Sequence, residues 1–233
     1  MAALRIDIWS DIACPWCYIG KRRLEGALRE APGIGQVDVL WHAFELDPSA
    51  PRQHPAELSY ADRLAKKYGQ TREQAQRMID RLVDVARVEE LELRFDRIRP
   101  GNTFDAHRLM HHAKQTGHQD ALAERLFHAY FTEGKSVADP ATLEGIASDA
   151  GLDASAIADL LASDLHADAV RADEAEAGRL GIQGVPFFVF DGRLAVSGAQ
   201  PAHLFSQVIE RALRERDNQP EFEEGAACGP SGC

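Results

Sequence analysis

The sequence predicts an α/β fold with a large all-helical insertion between its second and third strands. Three observations predict it. Short apolar runs with strand character stand near both ends of the chain, at 4–9, 37–44, 186–190 and 194–197. Between about 56 and 180 the apolar side chains fall at helical spacing instead, and no strand pattern is visible. With that block set aside, the two terminal parts read strand, helix, strand, then hairpin and helix, which make one compact α/β unit.

The elements follow in order. Leu4, Ile6 and Ile8 alternate on one strand face. Cys14-Pro15-Trp16-Cys17 comes after a short turn, and a helix from Tyr18 to Glu30 is stopped by Pro32-Gly33. Val37, Val39, Leu40, Trp41 and Phe44 mark a buried second strand, and Pro48, Pro51 and Pro55 a linker. In the block, Met78, Leu82, Val85 and Leu91 keep helical spacing. Ala106, Leu109, Met110 and Ala113 line one face behind a cap at Asn102, with Asp105 three residues on. Asp139-Pro140 opens a helix with Leu143, Ile146, Ala147 and Ala150 inward and Gly151 as its stop. Pro186–Phe190 and Leu194–Ser197 flank Asp191-Gly192, a hairpin turn pair. Pro201 starts the last helix, with Phe205, Val208, Ile209 and Ala212 on one face. The expected division is 1–50 and 181–216 for the two parts of the α/β unit, 51–180 for the insertion, and 217–233 for a mobile acidic and Gly-rich tail.

The 233 residues are 45% hydrophobic and 27% charged, ordinary for a globular core, and carry a formal net charge of −11. Such a surface repels phosphate backbones and anionic lipid, so nucleic-acid and membrane partners are not expected. No apolar run approaches the ~20 residues that cross a bilayer. The N-terminus lacks a basic stretch followed by an apolar one, so a cytoplasmic protein is expected. The four cysteines form two close pairs, Cys14/Cys17 and Cys228/Cys233. A reducing compartment disfavours structural disulfides, which leaves redox or metal-binding roles for such pairs.

Two cysteines spaced C-x-x-C at the first turn of a helix can close a small disulfide ring. Backbone N–H groups at a helix N-terminus stabilise a thiolate. Cys14, nearer that end and expected to be more accessible, is the candidate nucleophile. Cys17, one turn in, is the candidate resolving thiol that releases the reduced substrate. Pro15 suits a first helical position because its missing N–H needs no partner. The competing reading is half a zinc site, which wants a second C-x-x-C or a nearby histidine pair. His107 and His111 stand four apart on one helix but lack a His-Glu-x-x-His pattern, so no metal and no cofactor are expected. Lys21-Arg22-Arg23 reads as a solvated helix face. Trp16 and Pro186 are candidates for an apolar groove that takes an unfolded peptide.

Larger segments carry a resemblance: residues 10–20 (Ser-Asp-Ile-Ala-Cys-Pro-Trp-Cys-Tyr-Ile-Gly), Phe44-Glu45-Leu46-Asp47-Pro48, Asn102-Thr-Phe-Asp-Ala-His-Arg-Leu109, and Gly181-Ile-Gln-Gly-Val-Pro186. Together they span residues 4 to about 213 and resemble the DsbA family, in particular its FrnE-like cytosolic branch. The resemblance implies a thioredoxin-like fold with a helical insertion, a Cys14/Cys17 disulfide, and a cis Pro186 that faces it and contacts substrate, with Val185 presenting its backbone. It further implies thiol–disulfide exchange on proteins. Protein thiols and disulfides are then the partners, with glutathione or a thioredoxin-type protein as further candidates. Trp16 stands where better-known periplasmic members carry histidine, which argues against a strongly oxidising couple. Ile8 stands where thioredoxins place an acid. Two other readings remain. One is a glutathione-dependent transferase or isomerase of the related kappa-type and chromene-carboxylate branch, where serine is expected at position 14. The other is a thiol-based metal-binding protein. The tail motif Cys228-Gly-Pro-Ser-Gly-Cys233 is a candidate second redox pair, with an incidental tail or half a metal site as the alternatives.

Overall fold

The alternation of the first strand becomes pairing on both of its edges. In the computed structural model, which describes residues 3–31, 33–52 and 59–217, β1 (Leu4–Ser10) lies beside β2 (Val37–Ala43) in parallel. Its other edge takes β3 (Phe187–Phe190) antiparallel, and β3 pairs antiparallel with β4 (Leu194–Ser197), so the sheet order is β2-β1-β3-β4. Asp191 and Gly192 both take left-handed backbone (φ 48° and 67°), which turns the β3–β4 hairpin with the twist its strands need.

Helix α1 (Pro15–Glu30) connects β1 to β2, and α9 (Ala202–Asp217) follows the hairpin. Both cover the face carrying Ile6, Ile8, Phe188 and Phe190, and Phe205 of α9 meets Phe188 edge-on at 4.8 Å. Between β2 and β3 the described residues contain only helices: α2 (Tyr60–Tyr68), α3 (Arg72–Val88), α4 (Phe104–Gln115), α5 (Gln119–His128, running into a π-helical turn at Ala129–Glu133), α6 (Pro140–Asp149), α7 (Ala154–Leu161) and α8 (Ala167–Arg179). This is a thioredoxin-like fold with a helical insertion.

The insertion shares one contiguous core with the sheet unit. Tyr18 of α1 stacks on Phe127 of α5 (5.0 Å), and Trp41 of β2 meets the same ring edge-on (6.1 Å). Burying rings of this size contributes about 1.5–3 kcal/mol each. On the other sheet face, Trp9 packs with Ala177, Ile182, Phe44, Phe187 and Val189 in a smaller cluster. Strand β1 is therefore buried on both faces, more than its alternation implied.

Several local expectations shift. Helix α1 starts at Pro15, with Cys14 at its N-cap, which gives Pro15 the first helical position expected of it and extends the Tyr18–Glu30 helix by three residues. The buried positions of α3 are Ala75, Ile79 and Ala86, while Met78 is exposed. The N-cap of α4 is Thr103 rather than Asn102, and it makes no side-chain cap bond; Asn102, one residue earlier, accepts from Phe104 N–H (2.8 Å), and Asp105 turns to the buried Arg108 (2.9 Å) instead of completing a capping box. The Lys21-Arg22-Arg23 run is not a solvated face. Lys21 is 4% exposed and surrounded by Glu25, Asp120 and Glu124; Arg22 pairs with Glu25 and Glu124, and Arg23 with Glu89. Helix α5 and the end of α3 lie against α1 and bring those acids with them.

Candidate active site

The chain leaves β1, turns at Asp11, and enters α1 at the Cys14-Pro15-Trp16-Cys17 segment. The turn is closed by Cys14 N–H to Asp11 O and by Ala13 N–H to the Asp11 side chain. Cys14 at the N-cap and Cys17 in the first turn both carry free thiols, and the two side chains interact with each other. Cys14 is less accessible than its position suggested: it is 4% exposed against 1% for Cys17. The segment before β3 covers it, and its thiol donates to Val185 O at 3.5 Å. Burial, then contact with Cys14, pushes the Cys17 thiol well above its ordinary range, against opposing hydrogen bonds from the Ser10 side chain and the Asp11 backbone.

Val185–Pro186 is a cis peptide bond. Pro186 lies against α1 at Gly20, where a Cβ would stand 3.1 Å from both Pro186 Cγ and Phe188 Cζ. The missing side chain lets the loop approach the cysteines. Pro186 O accepts from Gly198 N–H (2.8 Å), which ties the loop to the far end of β4. Trp16, 42% exposed, offers an aromatic surface on the same turn as the cysteines. Cys14, Cys17, Val185 and Pro186 thus come together, with Trp16 beside them. Cys228 and Cys233 lie outside the described residues.

Sequence reasoning missed the polar framework behind the thiols. Asp11, 2% exposed, accepts from Leu46 N–H at 2.8 Å, and so joins the cysteine turn to the Phe44–Pro48 segment. Glu45 accepts from Asn102 (3.3 Å) and Arg171 (2.7 Å). His107 of α4 is buried with Nε2 3.6 Å from Asp11 Oδ1. Tyr60 of α2 is also near, its hydroxyl pushed up to about 12 by burial and by Cys14. The only signal for Asp11, Glu45, Asn102 and His107 was their membership in the motif segments; Tyr60 and Arg171 lie outside them.

Behind the sheet, His42 of β2 bonds Asp7 through Nε2 (2.7 Å) and Asp173 of α8 through Nδ1 (3.0 Å), and stacks on Trp9 at 4.5 Å. Both ring nitrogens can donate only as imidazolium. Burial opposes that charge, but the hydrogen bonds with Asp173 and Asp7 outweigh it and raise the His42 pKa. Burial likewise opposes both carboxylates. Contacts with His111 and His42 hold Asp173 well below its usual range, and His42 and Arg5 lower Asp7. His111 stands 2.9 Å from Asp173 Oδ2 without hydrogen-bond alignment. His107 and His111 thus face acids in the interior. Among the described residues, no group of three or more His, Cys, Asp or Glu is placed to hold a metal ion, and no helix is long and apolar enough to cross a membrane.

A thioredoxin-like sheet with C-x-x-C at the N-terminus of α1 and a cis proline opposite defines the class. A family model described as DSBA-like thioredoxin domain matches residues 5–210, and the chain belongs to that family of thiol–disulfide oxidoreductases. It is similar to the crystal structure of a probable DsbA oxidoreductase from Streptomyces coelicolor, 44% identical, covering 99% of this chain and 98% of that one at a TM-score of 0.87. It is 27% identical over 215 residues to the uncharacterized protein YwbO of Bacillus subtilis (strain 168), covering 91% of this chain and 99% of the relative. The cytosolic disulfide reductase DsbM from Pseudomonas aeruginosa, solved with GSH, shares the fold at 18% identity and a TM-score of 0.60, covering 90% of this chain and 99% of that one.

Proposed function

We propose that this chain carries out dithiol–disulfide exchange on protein disulfides in the cytosol, as a reductase or isomerase, through Cys14 and Cys17. The observation that carries the reading is the meeting of the two thiols at the N-terminus of α1, beneath Val185 O and the cis Pro186. The Cys14 thiolate attacks one sulfur of a substrate disulfide, and the other sulfur leaves as thiolate. Cys17 then attacks the Cys14 sulfur, freeing the second substrate thiol and leaving Cys14–Cys17 as the disulfide. Val185 offers backbone and Trp16 an aromatic face to an extended peptide. Glutathione or a thioredoxin-type protein returns the couple to its starting state. Residues 1–50 and 181–216 form the redox unit, 51–180 cover it, and Cys228/Cys233 in 217–233 act as a second redox pair.

The test is insulin reduction with single variants. Cys14→Ser abolishes it, and Cys17→Ser accumulates mixed disulfides that only an added thiol releases. Full turnover of a small electrophile with glutathione by Cys17→Ser, without any mixed disulfide, would instead favour the isomerase or transferase reading. Stoichiometric zinc held by the thiols would favour the metal-binding one.

A further inference from the structure

Cys17 must lose a proton before it can resolve a mixed disulfide, and it lies 1% exposed. If the exchange reading holds, that proton leaves through the interior. Ser10, at the end of β1, is 5% exposed, and its hydroxyl lies beside Cys17, where it favours the thiolate. Ser10 also lines a small cavity between the sheet and α4, about 10 Å³ as the space open to a water's centre, room for one water molecule. His42, His107 and His111 line the same cavity, with Ile12 and Met110 among its apolar walls. His107 is 3% exposed and its Nε2 has no hydrogen-bond partner among the described residues. The Asp11 carboxylate, at 3.6 Å, is beyond hydrogen-bond reach. A buried ring nitrogen left unpaired is unfavourable, and a water bonded to both it and Ser10 relieves that cost.

We propose that Ser10 and His107, bridged by one water in this cavity, form the route by which Cys17 gives up its proton. The Cys17 proton passes to Ser10 Oγ as the Ser10 hydroxyl proton moves to the water, and the water delivers a proton to His107 Nε2. The resulting imidazolium stands beside the Asp11 carboxylate, which stabilises it. The freed electron pair on Cys17 sulfur forms the bond to Cys14 sulfur. The bond between Cys14 and the substrate sulfur breaks, and its pair leaves on the substrate thiolate. One disulfide replaces another, with no outside oxidant. Burial and Cys14 push the Cys17 thiol up, so an acceptor inside the fold is what the step lacks otherwise. His107 is the better terminus than His111, whose Nε2 already has Asp173 at 2.9 Å. The charged and titratable groups around His107 are Asp11 of the β1–α1 turn, Glu45 after β2, His42 of β2, and His111 on α4 itself with Asp173 of α8 behind it.

The experiment mixes reduced full-length protein carrying Cys228→Ser and Cys233→Ser, so that Cys14 and Cys17 are its only thiols, with an aromatic disulfide whose thiol is coloured and follows release by stopped flow. The first release reports attack by Cys14 and the second attack by Cys17. Ser10→Ala and His107→Gln slow the second release by about a hundredfold at neutral pH, the low end of what positioned proton transfer contributes. The deficit closes as the pH rises, because hydroxide then removes the Cys17 proton. A second phase with the wild-type rate and pH profile in Ser10→Ala overturns the relay, as does a slowing independent of pH. Ser10→Ala keeps volume and stays decisive even if His107→Gln does not fold. Absence of the first release, or a second release that survives Cys17→Ser, counts instead against the dithiol-exchange reading.

Discussion

Replacing His42 with leucine removes the one cation that two buried carboxylates share on the rear face of the sheet. The side chains of His42, Asp7 and Asp173 are 13%, 7% and 14% exposed, so solvent screens little of the loss. Two charge-assisted hydrogen bonds vanish, at about 1.5–3 kcal/mol each. Arg5 still holds Asp7 (2.8 and 2.7 Å) and Ala43 N–H still donates to Asp173 (2.8 Å), which offsets part of the cost. The balance is roughly 3–4 kcal/mol, within the range for breaking a buried ion pair. For a chain of this length that lowers Tm by about 10 °C. The sign with pH follows from the shifts. His42 is raised from 6.5, so its stabilisation is complete below that value and lost as pH rises through the folded pKa. Asp7 and Asp173 are lowered from 3.8, so theirs is complete above that value and lost as pH falls. The variant's deficit is therefore widest between about pH 4 and 6.5 and shrinks in alkali. Thermal unfolding of both proteins by circular dichroism at about pH 5.5 and pH 9 checks it. A drop below about 2 °C, or one equal at both pH values, refutes the reasoning.

Glu124 is held at about 2 because Arg22, Tyr18 and Lys21 outweigh its burial. Its side chain is 33% exposed, so Glu124→Gln costs only about 1–2 kcal/mol at pH 7. In urea titrations the two proteins converge as pH falls from 4.5 towards about 2. Gly134 and Gly117 both have left-handed backbone (φ 69° and 74°), but a Cβ at Gly134 would stand 2.6 Å from Arg97 O while Gly117 faces open space. Gly117→Ala therefore costs about 1 kcal/mol and Gly134→Ala at least about twice that; equal denaturation midpoints would contradict this. Gly20→Ala pushes on Pro186 and Phe188, costs about 1–3 kcal/mol, and slows insulin reduction beyond what the stability loss explains.

Much of the site is legible because its chemistry is local. Cys14, Pro15, Trp16 and Cys17 are four consecutive residues at a strand-to-helix junction, and helix-end electrostatics act over a single turn. Asp139-Pro140 and Asp191-Gly192 announced a helix start and a hairpin for the same reason, since caps and turns depend on a few adjacent side chains. Strand and helix periods were long enough to give the order of elements and the place of the insertion.

The remainder depends on which distant segments meet. Lys21 looked like a surface lysine until α5 brought Asp120 and Glu124 against α1, and burial follows from packing rather than from a residue's own polarity. Asp11, Glu45, Asn102, His107 and Arg171 are ordinary polar residues along the chain; only folding converges them behind the cysteines. Cys14 was expected to be the more accessible thiol of the pair, but the loop from a segment some 170 positions away covers it, donor to carbonyl at 3.5 Å. The sequence by itself therefore determined the place of the C-x-x-C pair, the fold class and the order of its elements. The tertiary structure decided which side chains surround that pair and how deeply it is buried, because hydrogen bonds and desolvation depend on distances across the fold.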